Sequence, residues 1–147
     1  MIYCAYSGCG KTTYCKTHST AIDLDSSLLD KRDGWEEEYT RIAETLSKHN
    51  FDVFISAHPT VIKTLYARRA SFLVIIPAEN KDTWRARLLF RALQNPTSGN
   101  VNALNDFDCN YDKDMKYYTE EMPKSIKLLR IHAKVNTDLE ATLSAIG

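Results

Sequence analysis

The residues whose types and spacing carry the most chemistry are Ala5-Tyr6-Ser7-Gly8-Cys9-Gly10-Lys11-Thr12. They match the pattern G-x-x-x-x-G-K-[ST] with Ala5 at the first glycine position, directly after a short apolar run. Gly8 and Gly10 let the backbone curl so that successive N–H groups face phosphate oxygens. Ser7, Gly8, Cys9, Gly10, Lys11, Thr12 and Thr13 are therefore the expected binding residues for a nucleoside triphosphate. Lys11 would reach its β- and γ-phosphates and the Thr12 hydroxyl would ligate Mg²⁺. A helix opening near Lys11 would add the positive end of its dipole. Cys9 reads as a small residue whose backbone does the binding.

Asp23 and Asp25 close a short apolar segment. On a strand, residues two apart share a face, so both carboxylates would address one site. Asp25 is the expected catalytic and metal-holding carboxylate, with Thr12. Arg87 and Arg91 stand one helical turn apart, with Arg85 projecting elsewhere, and would neutralise charge on a transferring phosphoryl group. Asp23, Ser26, Arg32 and His58 are the expected acceptor-side residues. The run Asp106 to Asp114 is rejected as a calcium loop, because Tyr111 and Tyr117 stand where Gly and a bidentate Glu are needed. It reads as solvated acid on a lid. Trp35 and Tyr39 could stack on a base, but their spacing favours core packing.

These residues need a scaffold, and 147 residues make one domain with one core. Nineteen basic and nineteen acidic side chains give no net charge, which disfavours a nucleic-acid or anionic-membrane partner. The expected partner is a small-molecule acceptor, for a monomer or small homo-oligomer. No transmembrane or leader pattern is expected. Four cysteines without zinc-type pairing point to free thiols in a reducing cytoplasm.

Strands are expected at 1–6, 21–25, 51–56, 71–76 and 125–131. Helices are expected at 11–18, after an Asp33 cap, at 59–69, and at 81–93 after an Asn80 cap. Asp52, at the start of the third strand, is expected to be structural. The stretch 94–100 reads as the clearest loop, followed by two short helical pieces near 101–105 and 111–121. A last helix is expected after Thr137, with Glu140 completing a capping box. Alternation of strands and helices predicts an α/β fold with a parallel sheet covered by helices on both faces. Ligands then bind beyond the carboxyl ends of the strands.

The ordered set of phosphate loop at 5–12, Asp23 and Asp25, Asp33-Gly34-Trp35, Ser56-Ala57-His58 and the arginines of 84–93 resembles a family of small P-loop kinases. The likeness is to the nucleoside monophosphate and shikimate/gluconate kinases, and to compact bacteriophage-encoded P-loop kinases. It would cover almost the whole chain. The resemblance implies a three-layer P-loop NTPase fold with a five-stranded parallel sheet in order 2-3-1-4-5 and a small lid at about 84–121. It also implies ATP and Mg²⁺, γ-phosphoryl transfer to a (deoxy)nucleoside monophosphate, and a cytoplasmic setting (host cytoplasm for a phage-encoded chain). The third strand lacks a terminal Asp, which puts more of the metal role on Asp25. Three alternatives stay open: a hydroxyl-directed metabolite kinase, a kinase acting on modified bases or ends of nucleic acid, and an NTP-binding switch without rapid chemistry.

Overall fold

The computed structural model describes residues 1–26 and 29–132; the expected helix after Thr137 lies outside the described residues. Five strands, β1 (Ile2–Ala5), β2 (Ala21–Asp23), β3 (Asp52–Ser56), β4 (Phe72–Pro77) and β5 (Lys127–Ile131), form one sheet in the order β2-β3-β1-β4-β5. All four pairings are parallel. The α/β class, sheet order and strand direction are those expected. The central strands are continuous apolar runs because both faces are covered: Val53, Phe54 and Ile55 of β3 and Val74, Ile75 and Ile76 of β4 are all fully buried. Asp52 sits at the opening of β3 and pairs with the chain's amino group at 3.6 Å, a structural role at the far edge of the sheet.

Five helices connect the strands: α1 (Lys11–Thr17), α2 (Trp35–Lys48), α3 (Pro59–Ala67), α4 (Lys81–Gln94) and α5 (Ser98–Lys116). α1 packs against β2, and α2 packs against β3 and α3. Pro59 fits the first turn of α3 because its missing N–H costs nothing there. Asn80 caps α4 by accepting from Thr83 N at 2.9 Å.

Three local expectations differ from the structure. First, β2 ends at Asp23, so Asp25 lies past the strand and does not share a strand face with Asp23. Second, α2 opens on Gly34 in a left-handed conformation, without a side-chain cap from Asp33. Glu36, Glu37 and Glu38 in its first turn complement the helix dipole instead. Third, the loop after α4 is only about three residues long. Thr97 accepts from Asn100 N at 3.1 Å and starts a nineteen-residue helix where two fragments were expected.

That helix is held by one stripe, Leu104, Phe107, Tyr111 and Met115, which packs into or against the core. It ends in a π-helical turn, Tyr117–Glu121, that buries both Tyr117 and Tyr118. The region 84–121 is thus two long helices anchored to the core by Trp84, Leu88 and Phe107. The acidic run on α5 divides by helical period. Asp108 and Asp112 face α4, where Arg85 forks onto Asp108 at 2.7 and 3.1 Å and Lys81 meets Asp112 at 3.0 Å. Those registers run in opposite directions, so α4 and α5 are antiparallel.

Candidate functional site

The carboxyl ends of β1, β2 and β3 bring the glycine-rich turn, Asp23 and Ser56 to one edge of the sheet. Gly8 and Gly10 both have positive φ, 91° and 88°, in the region that favours glycine. At Gly8 space is a second constraint. A Cβ there would lie 3.0 Å from Leu88 Cδ2 and 3.3 Å from Trp84 Nε1. The turn rests on α4 through two further bonds: Trp84 Nε1 donates to Ser7 O at 2.9 Å, and Arg87 Nε donates to Gly8 O at 2.8 Å. Cys9 is buried beneath, and burial pushes its thiol up to about 12. It stays protonated and inert at neutral pH.

Thr12 Oγ1 donates to Asp23 Oδ2 at 3.0 Å, and Lys11 Nζ lies 4.0 Å from Asp23 Oδ1. Asp23 is therefore the carboxylate beside the Lys-Thr pair, where sequence spacing favoured Asp25, an exposed residue two positions on. Tyr39 fixes this corner. It is fully buried, its hydroxyl donates to Leu24 O at 2.6 Å, and it accepts from Ser56 N at 3.0 Å. Tyr39 is thus core, as its spacing predicted, while Trp35 is half-buried with the Lys31 ammonium over its ring.

Two recesses flank Lys11. The first, of about 470 Å³, is lined by Gly8, Gly10, Lys11 to Thr13, Arg87 and Arg91, with Phe90, Gln94, Asn95 and Asn100 at its outer part. Among the described residues its lining holds three cations and no carboxylate. Arg91 Nε is buried there with no hydrogen-bond partner among the described residues. Burial, followed by the neighbouring Arg87 guanidinium, lowers the Arg91 pKa from its ordinary value. A buried orphan donor on a cation costs about 1–3 kcal/mol or more, so an anion entering this cleft would gain what the protein leaves unmet. Sequence had named both arginines; it had not named Phe90, 62% exposed, or the three amides.

The second recess is narrow, about 30 Å³, and differs in charge. It lies between the end of β1, the end of β3 and α5, and is lined by Tyr6, Lys11, His58, Asp106, Asp114 and Tyr118 together with neighbouring backbone and serine groups. Tyr118 is aimed there by the π turn and its hydroxyl donates to Ala57 O; π turns recur where a helix must re-aim a side chain. Asp114 is 6% exposed, and burial, then Asp106, pushes its carboxyl up to about 6. His58 is lowered by burial, opposed by Asp106 and reinforced by Lys31 and Lys11. Its backbone N–H donates to Ser56 Oγ at 3.3 Å.

Of the acceptor-side residues expected from sequence, His58 lines this recess and Asp23 stands beside Lys11. Ser26 is half-buried past β2, its carbonyl taking Leu29 N at 3.1 Å. Arg32 lines neither recess: its side chain is 85% exposed and pairs with Asp30 at 2.6 Å. Tyr6, Asp106, Asp114 and Tyr118 were missed. Reading the acidic run at helical period would have separated Asp106 and Asp114 from Asp108 and Asp112.

Among the described residues no group of three or more His, Cys, Asp or Glu could hold a metal ion by itself. No described helix is long and apolar enough to cross a membrane. No protein-family model matches the sequence, and neither does any curated protein.

Proposed function

We propose that the chain is a small P-loop kinase, a phosphotransferase that moves the γ-phosphoryl group of ATP, with Mg²⁺, to a small acceptor. One observation carries this reading: Lys11 lines a cationic cleft on one side and an acidic recess on the other. That is the layout required of a lysine held between a phosphate donor and an acceptor. The turn amides of Ser7 to Gly10, Lys11 and the guanidiniums of Arg87 and Arg91 would bind the donor phosphates. Phe90 and the amides around it would face the nucleoside.

The chemistry of the donor set fits Mg²⁺. A hydroxyl (Thr12) and one carboxylate (Asp23), 3.0 Å apart, are too few for a site built from protein alone. They suit an ion that takes its other ligands from phosphate oxygens and water. The ion would supply charge neutralisation on the β- and γ-oxygens. Asp23 takes the role that spacing favoured for Asp25, and Lys11 and Arg91 would balance charge that builds in the transition state.

The resemblance to small P-loop kinases pointed first to a nucleoside monophosphate. Such an acceptor needs cations around its own phosphate, yet Arg32 is exposed and paired, and the recess beyond Lys11 is acidic. These features favour the hydroxyl-directed reading. Measurement of Mg²⁺-dependent ATP binding and of acceptor-stimulated ADP release, with a Lys11→Ala control, tests the proposal. ATP binding without stimulation by any acceptor favours the switch reading; no ATP binding removes the proposal.

A further inference from the structure

The recess beyond Lys11 holds a group with no partner among the described residues. Tyr6 is 6% exposed, and its hydroxyl has no hydrogen-bond partner among the described residues. Its ring is held edge-on by Phe107, Tyr111 and Tyr118, with centroids 6.4 to 6.5 Å away. Packing, not hydrogen bonding, therefore fixes where the hydroxyl points, and it lies in the field of Asp114 and Asp106. Native proteins rarely leave a buried hydroxyl unmet unless something else meets it. Asp106 has one oxygen held: Asn110 Nδ2 donates to Asp106 Oδ1 at 2.8 Å. The volume, about 30 Å³, has room for an oxygen-sized group.

We infer that this recess is the acceptor subsite and that it receives an uncharged hydroxyl group, with Asp106 as proton acceptor and Tyr6 and Asp114 as hydrogen-bonding walls. The inference rests on the phosphotransferase reading above. Two carboxylates attract a donor O–H and repel a phosphate monoester dianion, which selects between the acceptor classes. The acceptor oxygen forms a bond to the γ-phosphorus while its proton passes to the Asp106 carboxylate. The bond from the γ-phosphorus to the β,γ-bridging oxygen breaks, and the nucleoside diphosphate leaves with that electron pair. His58, on the same wall, lies close enough to Asp106 for their charges to interact, so it senses the carboxylate's charge.

The test uses the full chain with Mg²⁺-ATP and three sets of probes: nucleosides, hexoses and glycerol; a 5′-hydroxyl oligonucleotide; and the nucleoside monophosphates. Transfer to a hydroxyl in either of the first two sets is expected, and which set responds decides whether the hydroxyl belongs to a free small molecule or a nucleic acid. Asp106→Asn is expected to lower kcat about 100-fold while the Kd for Mg²⁺-ATP stays within about twofold. Tyr6→Phe keeps the ring packing and is expected to raise the acceptor KM about fivefold with kcat retained. Its folding is checked by the unchanged ATP affinity. Transfer to a monophosphate alone, or wild-type rates in both variants, overturns the inference and leaves the phosphotransferase reading standing. ATP binding with no transfer in any set also overturns it. Loss of ATP binding in the wild-type chain removes the underlying reading instead.

Discussion

Thr12 Oγ1 and Asp23 Oδ2 are 3.0 Å apart, with Lys11 Nζ 4.0 Å from the other oxygen of the same carboxylate. One acid thus lies against both side chains that follow the glycine-rich turn. Asp23→Asn keeps an acceptor for the Thr12 hydroxyl but removes the charge. It is expected to lower Mg²⁺-dependent turnover about 100-fold, the usual loss when one electrostatic partner of a phosphoryl group is removed. Asp25→Asn is expected to lower it less than tenfold, because Asp25 lies beyond β2 and is exposed. Steady-state rates for the two variants, titrated with Mg²⁺, check the ordering.

Gly8 carries a second constraint that its neighbour in conformation, Gly34, does not share. Both have positive φ, 91° and 82°. A Cβ at Gly34 meets nothing within 4 Å, whereas at Gly8 it would press on Leu88 and Trp84. Gly34→Ala is expected to cost about 1 kcal/mol from backbone conformation alone. Gly8→Ala adds overpacking and is expected to cost about 2–4 kcal/mol. Urea unfolding of both variants measures the difference, and ATP affinity is expected to fall only for Gly8→Ala.

Arg91 offers a test in which stability and binding move in opposite directions. Its buried Nε lacks a partner among the described residues and its charge stands near that of Arg87. Arg91→Met removes the desolvated cation at similar volume, which is often stabilising. The ligand-free Tm is expected to rise by about 2–4 °C, while affinity for ATP is expected to fall at least about tenfold. A thermal shift assay with and without Mg²⁺-ATP reads both effects in one experiment.

Much of the scaffold is legible in the sequence because buried parallel strands are nearly continuous apolar runs. Phe72 to Pro77 and Asp52 to Ser56 carry their own signal, and Pro59 and Asn80 punctuate the helices after them. The glycine-rich turn and Lys11 were legible for the same local reason. What escaped is long-range. That Asp23 rather than Asp25 meets Thr12 depends on where β2 stops, and that is set by pairing with β3 and by Tyr39 beneath Leu24. Pro96 and Gly99 drew the reading of Gln94 to Asn100 toward a loop, although Thr97 caps a helix there. Once α5 was broken in two, Asp106 and Asp114 could not be seen to share a wall with Tyr6, which is 100 residues or more away in sequence.

Asp114 gives the pH-dependent prediction. Burial, then Asp106, raises its carboxyl from 3.8 to about 6. Between those values the folded chain holds a proton that the unfolded chain has released. Stability contributed by this group therefore falls as pH rises from about 4 to about 6, and the penalty persists above pH 6. His58 works the other way. Its lowered pKa means the unfolded chain binds the extra proton, so stability rises with pH up to about 6.5, the ordinary His value. The groups facing Asp114 across the recess, Tyr6, Tyr118, His58 and Asp106, and Lys113 beside it, are common to wild type and variant, so the difference between the two reports Asp114 together with its coupling to them. Asp114→Asn is expected to unfold at nearly the same denaturant concentration as wild type at pH 4. At pH 7 it is expected to be more stable by about 1–2 kcal/mol, the shift discounted for partial solvent screening. Its transfer activity is expected to fall where its stability rises, because a strained acid kept in a recess is a cost borne for function. Equal stabilities at pH 7, measured by urea titration across pH 4 to 8, contradict a buried raised carboxyl at this position.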